Sequence, residues 1–187
     1  MRSFTGTDTA RFDVGSSTIL DRAARDEKFD RMLAAHGPAL SRLAASYTNT
    51  AHDRDDLLQE IAIAIWQALP RFRGECSERT FLYRIAHNRG IAYLSRWRSQ
   101  RAGSSDEIEA PDPGPDPESG LAREQQAERL RAAIHHLPIV YRQVIMLTLE
   151  GLGYGEIADV LGISESNVGA RLTRARQMLR ESLEKRK

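Results

Sequence analysis

Residues 162–180 read GISESNVGARLTRARQMLR, four arginines in a stretch that still places an apolar residue every three or four positions. At about 100° per residue, Val168, Leu172, Ala175 and Leu179 fall on one narrow stripe, which Leu183 extends. A stripe of this kind is expected to be buried. The opposite face is then Ser166, Ala170, Thr173, Arg174 and Gln177, flanked by Asn167 and Arg180, with Arg171 and Arg176 at the borders of the stripe. Ser164 stands where its hydroxyl can accept from a free backbone N–H at a helix start. Gly162 suits the left-handed conformation that ends the helix before it.

The preceding segment, GYGEIADVLG at 153–162, directs Ile157, Ala158 and Leu161 inward, and the small Ala158 allows a second helix to cross closely. Helix, tight turn and helix form a helix-turn-helix, whose second helix lies in the DNA major groove with its border cations on phosphates. Base reading is thereby expected of Ser166, Ala170, Thr173 and Arg174, with Asn167 and Gln177 on the same face, and phosphate contact of Arg171 and Arg176. The plainer reading of the same residues is an amphipathic hairpin with a solvated basic face.

A formal net charge of +1 over 187 residues conceals segregation. Residues 79–105 hold six arginines (79, 84, 89, 96, 98, 101) and no acid, whereas 102–120 hold six acids (Asp106, Glu107, Glu109, Asp112, Asp116, Glu118) and no base. Such blocks imply more than one interaction surface. The single cysteine, Cys76, excludes an internal disulfide, and no Cys/His spacing resembles a metal site. The longest apolar run, IAIAIWQAL, is far short of the ~20 residues that span a bilayer, and the start of the chain lacks a signal-peptide core. A soluble, cytoplasmic protein without membrane attachment is expected, needing no metal or cofactor.

APDPGPDPESG, residues 110–120, contains four prolines and two glycines, a composition incompatible with helix or strand. It marks a linker, and the expected organisation is all-α: a flexible leader 1–23, a helical domain 24–100, an acidic Pro/Gly-rich linker 101–116 and a helix-turn-helix domain 117–187. In the first domain Phe29, Met32 and Leu33 begin a helix that Gly37-Pro38 is expected to break. Pro38 then opens a second helix carrying Leu40, Leu43, Ala44 and Tyr47. A third, from about Asp53 to Leu69, turns Leu57, Leu58, Ile61, Ile65 and Leu69 inward and sets Asp53, Asp55 and Asp56 in its first turn, favourable to the helix dipole.

A long helix from about Glu78 to Arg98 faces Phe81, Ile85 and Ala92 inward and leaves Tyr83, His87 and Leu94 on the far side. Its arginines interleave with Tyr83, Tyr93 and Trp97, and aromatic faces among cations suit unpaired bases, although each aromatic alone also suits a core. Helices from about Pro117 to His136 and Pro138 to Glu150 precede the helix-turn-helix. His135 and His136 are adjacent, cannot face one ligand, and read as structural.

DLLQEIAIAIWQAL (56–69), RFRG (71–74), TFLYRIAHN (80–88) and LPIVYRQVIMLTLEGLGYGEIADVLGISESNVGARLTRARQML (137–179) stand in the order found in sigma-70 initiation factors. The chain resembles their short, two-domain extracytoplasmic-function (ECF, group 4) subgroup over about residues 24–183. The resemblance implies a core RNA polymerase surface on Asp56, Leu57, Gln59, Glu60 and Trp66. It implies −10 reading and melting by Phe72, Arg73, Gly74, Glu75, Phe81, Tyr83, Asn88 and Arg89, where an extruded base would be held. The −35 element falls on the helix of the opening stretch, and the acidic linker would follow the polymerase channel. Partners so implied are core polymerase, promoter DNA and an anti-sigma protein, which no residue here identifies.

The chain departs from the family pattern at Ala62, Phe81 and Ala92, where another residue is usual, and at Gly169 and Ala170, whose side chains are minimal. The competing function is a conventional helix-turn-helix regulator with an N-terminal dimerisation or sensing domain, but no ligand pocket or receiver pattern is visible. An enzyme is not expected, because no paired carboxylate or nucleophile–base arrangement stands out.

Overall fold

Hydrophobic spacing of three and four builds helices throughout the computed structural model, which describes residues 14–101 and 121–184. They are α1 Val14–Ala45, α2 Ala51–Ala68, α3 Glu78–Arg101, α4 Leu121–His135, α5 Ile139–Leu149, α6 Tyr154–Leu161 and α7 Glu165–Glu184. No strand occurs among the described residues. Most of the expected leader (1–13) and linker (102–116), and the expected helix start at 117–120, lie outside them.

Gly37-Pro38 does not break the first helix. α1 runs unbroken through both and already includes residues 14–23, which were expected in the leader. A residue before proline is driven out of the helical region mainly by its Cβ against the proline ring, and Gly37 has none. The carbonyl deprived of its donor is that of Ala34, and Ala34 and Pro38 are both exposed, so solvent can replace the lost bond. Met32, Leu40, Leu43 and Ala44, all buried, hold the two segments on one axis.

Thr50 starts α2: its hydroxyl oxygen accepts from the Asp53 N–H at 3.0 Å and its O–H donates to the Asp53 carboxylate at 2.7 Å. Starting at Ala51, the helix keeps Asp53 in its first turn and moves Asp55 and Asp56 into the second. Leu57, Ile61, Ala64 and Ile65 form its buried stripe, closed by Leu69 in a short 3-10 turn over Leu69–Arg71.

Tyr47, at the end of α1, meets α3 where Gly90 lies. A Cβ on Gly90 would come within 2.6 Å of the Tyr47 ring, so α3 can cross here only without a side chain. The buried phenol reaches on to Nδ1 of His87 at 2.9 Å, with the buried Gln143 of α5 beside the same hydroxyl. Burial raises the Tyr47 hydroxyl well above its ordinary value and lowers His87 to about 4.

The two halves of the chain are in contact, so their spacing is fixed here, whereas a flexible tether alone would leave it open. α3 packs along α6, and one buried cluster runs from Met32 and Leu82 to Ile157 and Leu172. Tyr83 explains part of this. Expected on the far side of α3 against an unpaired base, it is 2% exposed, because the second half covers that side. The stripe of α7 is likewise only partly as expected: Val168, Leu172 and Ala175 are fully buried, while Leu179 and Leu183 are half-buried.

Gly90→Ala should lower stability by about 1–3 kcal/mol through overpacking on the Tyr47 ring, read as a fall in the denaturation midpoint at unchanged slope. An unaltered midpoint would show that the crossing is looser than 2.6 Å implies. His87 predicts a pH dependence. Its folded value of about 4 lies below its ordinary 6.5, so the unfolded chain takes up the proton first as pH falls. The contribution is complete above pH 6.5 and is lost between 6.5 and about 4, on the order of 3 kcal/mol across the window. His135, lowered chiefly by burial, acts in the same direction. His87→Gln should flatten most of the slope of unfolding free energy between pH 6.5 and 5, and an unchanged slope would place its origin elsewhere.

Candidate nucleic-acid interface

The α6–α7 corner is built as the sequence requires. Gly162 adopts φ 66°, ψ 37° and ends α6, and the Ser164 hydroxyl accepts from the Asn167 N–H at 3.3 Å to start α7. At the other end of α6, Glu156 reaches back to accept from the Gly153 N–H at 3.0 Å. Two small residues allow close approach: a Cβ on Gly155 would meet the Glu165 carboxylate at 3.3 Å, and one on Gly169 would meet the Tyr154 ring at 3.6 Å.

With Val168, Leu172 and Ala175 inward, the remaining face of α7 is open. Ser166, Asn167, Ala170, Thr173, Arg174, Arg176 and Gln177 are exposed and Arg171 half-exposed. Their polar contacts stay on the helix. Arg171 Nε donates to Asn167 at 2.9 Å, Arg174 to Gln177 at 3.1 Å, and Gln177 to Glu181 at 2.9 Å. Thr173 returns its O–H to the Gly169 carbonyl at 3.0 Å. Arg171 and Arg174 are thus held on the open face by weak neutral partners that a base edge or phosphate can displace.

A second basic surface lies on the first half. Phe72 stacks on Phe81 with ring centres 4.4 Å apart, and the Lys28 ammonium stands 4.8 Å from the Phe72 ring. Beside this pair the loop is exposed at Arg73, Gly74 and Glu75, with Gly74 at φ 78° in the left-handed region. Asn88 and Arg89 of α3 are exposed. Seven of the eight expected residues are therefore at least partly accessible; Tyr83 is not. Burial and the neighbouring Glu150 push the Tyr83 hydroxyl up to about 12.

The polymerase set on α2 divides similarly. Asp56 and Gln59 are exposed, Glu60 accepts from Arg96 at 2.7 and 2.9 Å, and Leu57, 1% exposed, belongs to the core and contributes no surface. The Trp66 indole N–H donates to Asp26 of α1 at 2.8 Å, and the Arg25 guanidinium covers its ring at 3.8 Å. Sequence reasoning missed Ile63, which is 57% exposed one turn beyond Gln59. The signal was present: Ile63 lies two positions from both Ile61 and Ile65, about 200° around the helix from the buried stripe.

Also missed were the polar contacts between the halves. Arg42 forks onto Glu150 at 2.6 and 2.7 Å, Arg79 reaches both oxygens of Glu156 at 2.9 and 2.8 Å, and Arg84 donates to the Asp159 carbonyl at 3.1 Å. Arg142 donates to the Ser46 carbonyl at 2.8 Å, and His135 contacts the Thr48 carbonyl at 3.1 Å. Chiefly through Arg79, and then through the Gly153 N–H, the Glu156 carboxyl is held below its ordinary value. Among the described residues no group of three or more His, Cys, Asp or Glu side chains could hold a metal ion, and no helix is long and apolar enough to cross a membrane.

An open, basic second helix on a tight corner defines a DNA-binding protein of the helix-turn-helix class. Residues 32–101 match sigma-70 region 2 and residues 127–179 match sigma-70 region 4. The chain is 31% identical over 166 residues to the RNA polymerase sigma factor NccH of Alcaligenes xylosoxydans xylosoxydans, covering 84% of this chain and 89% of that one. It is 31% identical over 182 residues to the ECF RNA polymerase sigma factor SigE of Mycolicibacterium smegmatis, covering 96% and 68%. The solved structure of CnrH in complex with the cytosolic domain of CnrY superposes with a TM-score of 0.64 at 29% identity, covering 87% of this chain and 92% of that one. RpoE of Bartonella quintana, solved with the anti-sigma factor NepR, shares the fold with a TM-score of 0.73 at 22% identity, covering 84% and 98%. This chain belongs to the sigma-70 family of RNA polymerase initiation factors, within its ECF subgroup.

Arg174→Ala should cost about 1–3 kcal/mol and relax preference at one position of the upstream promoter element, whereas Arg176→Ala should weaken matched and mismatched promoters alike. Identical behaviour of the two on such a promoter pair, bound with core polymerase, would overturn the division of the α7 face.

Proposed function

We propose that this sigma factor docks on core RNA polymerase through the open side of α2, reads the −35 element with α7, and holds the melted −10 strand on the 72–75 loop and the exposed residues of α3. Asp56, Gln59 and Glu60 provide its acidic and polar part, suited to a basic partner, with Trp66 at one end. Ile63 adds an apolar anchor between them. The protein performs no catalysis of its own and acts in the cytoplasm, placing polymerase at promoters and opening the strands.

One observation carries this reading: the α7 side chains expected to meet DNA are the ones left wholly or partly in solvent, while Val168, Leu172 and Ala175, with Met178 and Leu179 packed beside them, anchor the helix. A large open face of small, polar and cationic residues has no structural task in the described residues. The division of labour is supported further by the region 2 and region 4 matches, which fall on the two surfaces separately. A conventional regulator would need a sensing or dimerising half where the region 2 match lies.

Asp56→Arg combined with Gln59→Ala should abolish co-purification with core polymerase at unchanged helix content, and Ile63→Glu alone should do the same. Full retention of core binding by both variants would remove α2 from the polymerase surface. With core present, permanganate footprinting should reveal unpaired thymines that neither component produces by itself.

A further inference from the structure

Most cations of the first half have a polar partner within the chain. Among the described lysines and arginines from 22 to 98, only Lys28, Arg71, Arg73, Arg89 and Arg98 have a side chain with neither an ion pair nor a hydrogen bond. Three of these five meet at one place: Arg71 and Arg73 flank Phe72 in the chain, and the Lys28 ammonium of α1 stands over the Phe72 ring at 4.8 Å. The neighbouring acids do not neutralise them. Glu78, at the start of α3, lies 3.7 Å from Arg31, and the exposed Glu75 of the loop forms no ion pair.

Phe72 accounts for the position of Lys28. Phe81 is stacked on the ring, with centres 4.4 Å and planes 29° apart, and the ammonium stands over the same ring. So occupied, the ring is a poor platform for a base and a good support for a cation, favouring that placement by about two- to fivefold. The Lys28 side chain is half-buried, and a lysine so placed lays its stem along apolar surface while its ammonium keeps to water. A cluster of positive charge with no acid to offset it calls for an anion from outside the chain.

We infer that Lys28 is a further strand-binding residue, contributed by α1, whose ammonium neutralises a phosphate of the melted strand at the 72–75 loop, and that the Phe72 ring is its positioning residue. The inference rests on the reading of that loop as the strand-holding element and extends it to a helix that carries none of the residues implied there. An ammonium is a point charge without the fork that reads a base edge, so Lys28 contributes affinity and salt dependence but no sequence preference. A place on the polymerase surface suits it less, because the open side of α2 is acidic and polar, fitted to a basic partner that a positive group would oppose.

Lys28→Ala tests this in the full chain assembled with core polymerase, on a promoter fragment carrying a premelted bubble. Loss of one single-strand phosphate contact should reduce the steepness of log affinity against log salt by about 0.7, which is about fivefold in affinity at roughly 0.1 M salt and nothing near 1 M. Lys28→Arg should restore both, Lys28→Glu should lose more than Lys28→Ala, and none of the three should change affinity for core polymerase. In a Phe72→Leu background, Lys28→Ala should alter the salt slope less than half as much, a coupling that a merely structural ring would not produce. An unchanged slope in Lys28→Ala would overturn the strand contact, and an equal effect in both backgrounds would overturn positioning by Phe72. Weaker core binding by Lys28→Ala would place the residue on the polymerase surface and overturn the inference as well. Failure of the underlying reading is distinguishable: Arg73→Ala should also lower the slope, so no change from either substitution would remove the loop as the strand surface, whereas a loss from Arg73→Ala alone would strike only Lys28.

Discussion

Everything in the first half is set by the distance at which α1 and α3 can cross. The Tyr47 ring lies on the bare backbone of Gly90, closer than any Cβ could be tolerated, and the phenol is buried at that point. Once the ring is there, its hydroxyl needs partners, because an unpaired buried O–H costs about 1–3 kcal/mol. His87 supplies one from α3, and Gln143 approaches from the second half. A single close crossing therefore fixes the angle of α3, the neutral state of His87 and the approach of α5.

The junction between the halves is of a different character. Apolar burial is continuous across it, but its specificity is written in polar contacts: Arg42, Arg79 and Arg84 reach carboxylates and a carbonyl of the second half, and Arg142 and His135 reach carbonyls of the first. Surface ion pairs contribute about 0–1 kcal/mol each, small against the burial of a core side chain at roughly 1.5–3 kcal/mol. The halves are internally held by the second kind of energy, and both kinds act at the junction, where the Glu150 side chain is only 8% exposed. Glu156 belongs to both, since it accepts from the N–H that begins α6 and from Arg79. A separation of the halves thus leaves the cap of α6 in place.

Much of this was legible in the sequence, for identifiable reasons. The α6–α7 corner was, because Gly162, Ser164 and the Val168–Leu172–Ala175 stripe are local signals acting within a few residues. α2 was, since its inward positions repeat without interruption. Gly37-Pro38 misled because the pair is normally a stop; whether a helix passes through proline depends on packing of Met32 and Leu40 at a distance. Tyr83 misled more deeply. An aromatic among arginines looks the same whether its cover is DNA or the other half of the chain, and no local pattern shows which. Leu57 was counted both as core and as polymerase surface; its burial settles that it is core. Glu150 and Glu156 were invisible as partners of Arg42 and Arg79 because pairs so far apart leave no spacing to read.

The polar contacts of the open face of α7 stay within that helix and its cap residue Ser164, and none of them supports the core. Arg171 leans on Asn167 and Arg174 on Gln177, while stability rests on the apolar residues of the opposite side, Val168, Leu172 and Ala175 with Met178 and Leu179 beside them. Substitutions on that face are therefore close to neutral for folding, whereas under the proposed function they change what the helix reads. Promoter preference in such a protein can drift during evolution almost free of a stability threshold, and a duplicated copy could acquire a new set of target genes through a handful of changes, each tolerated on its own.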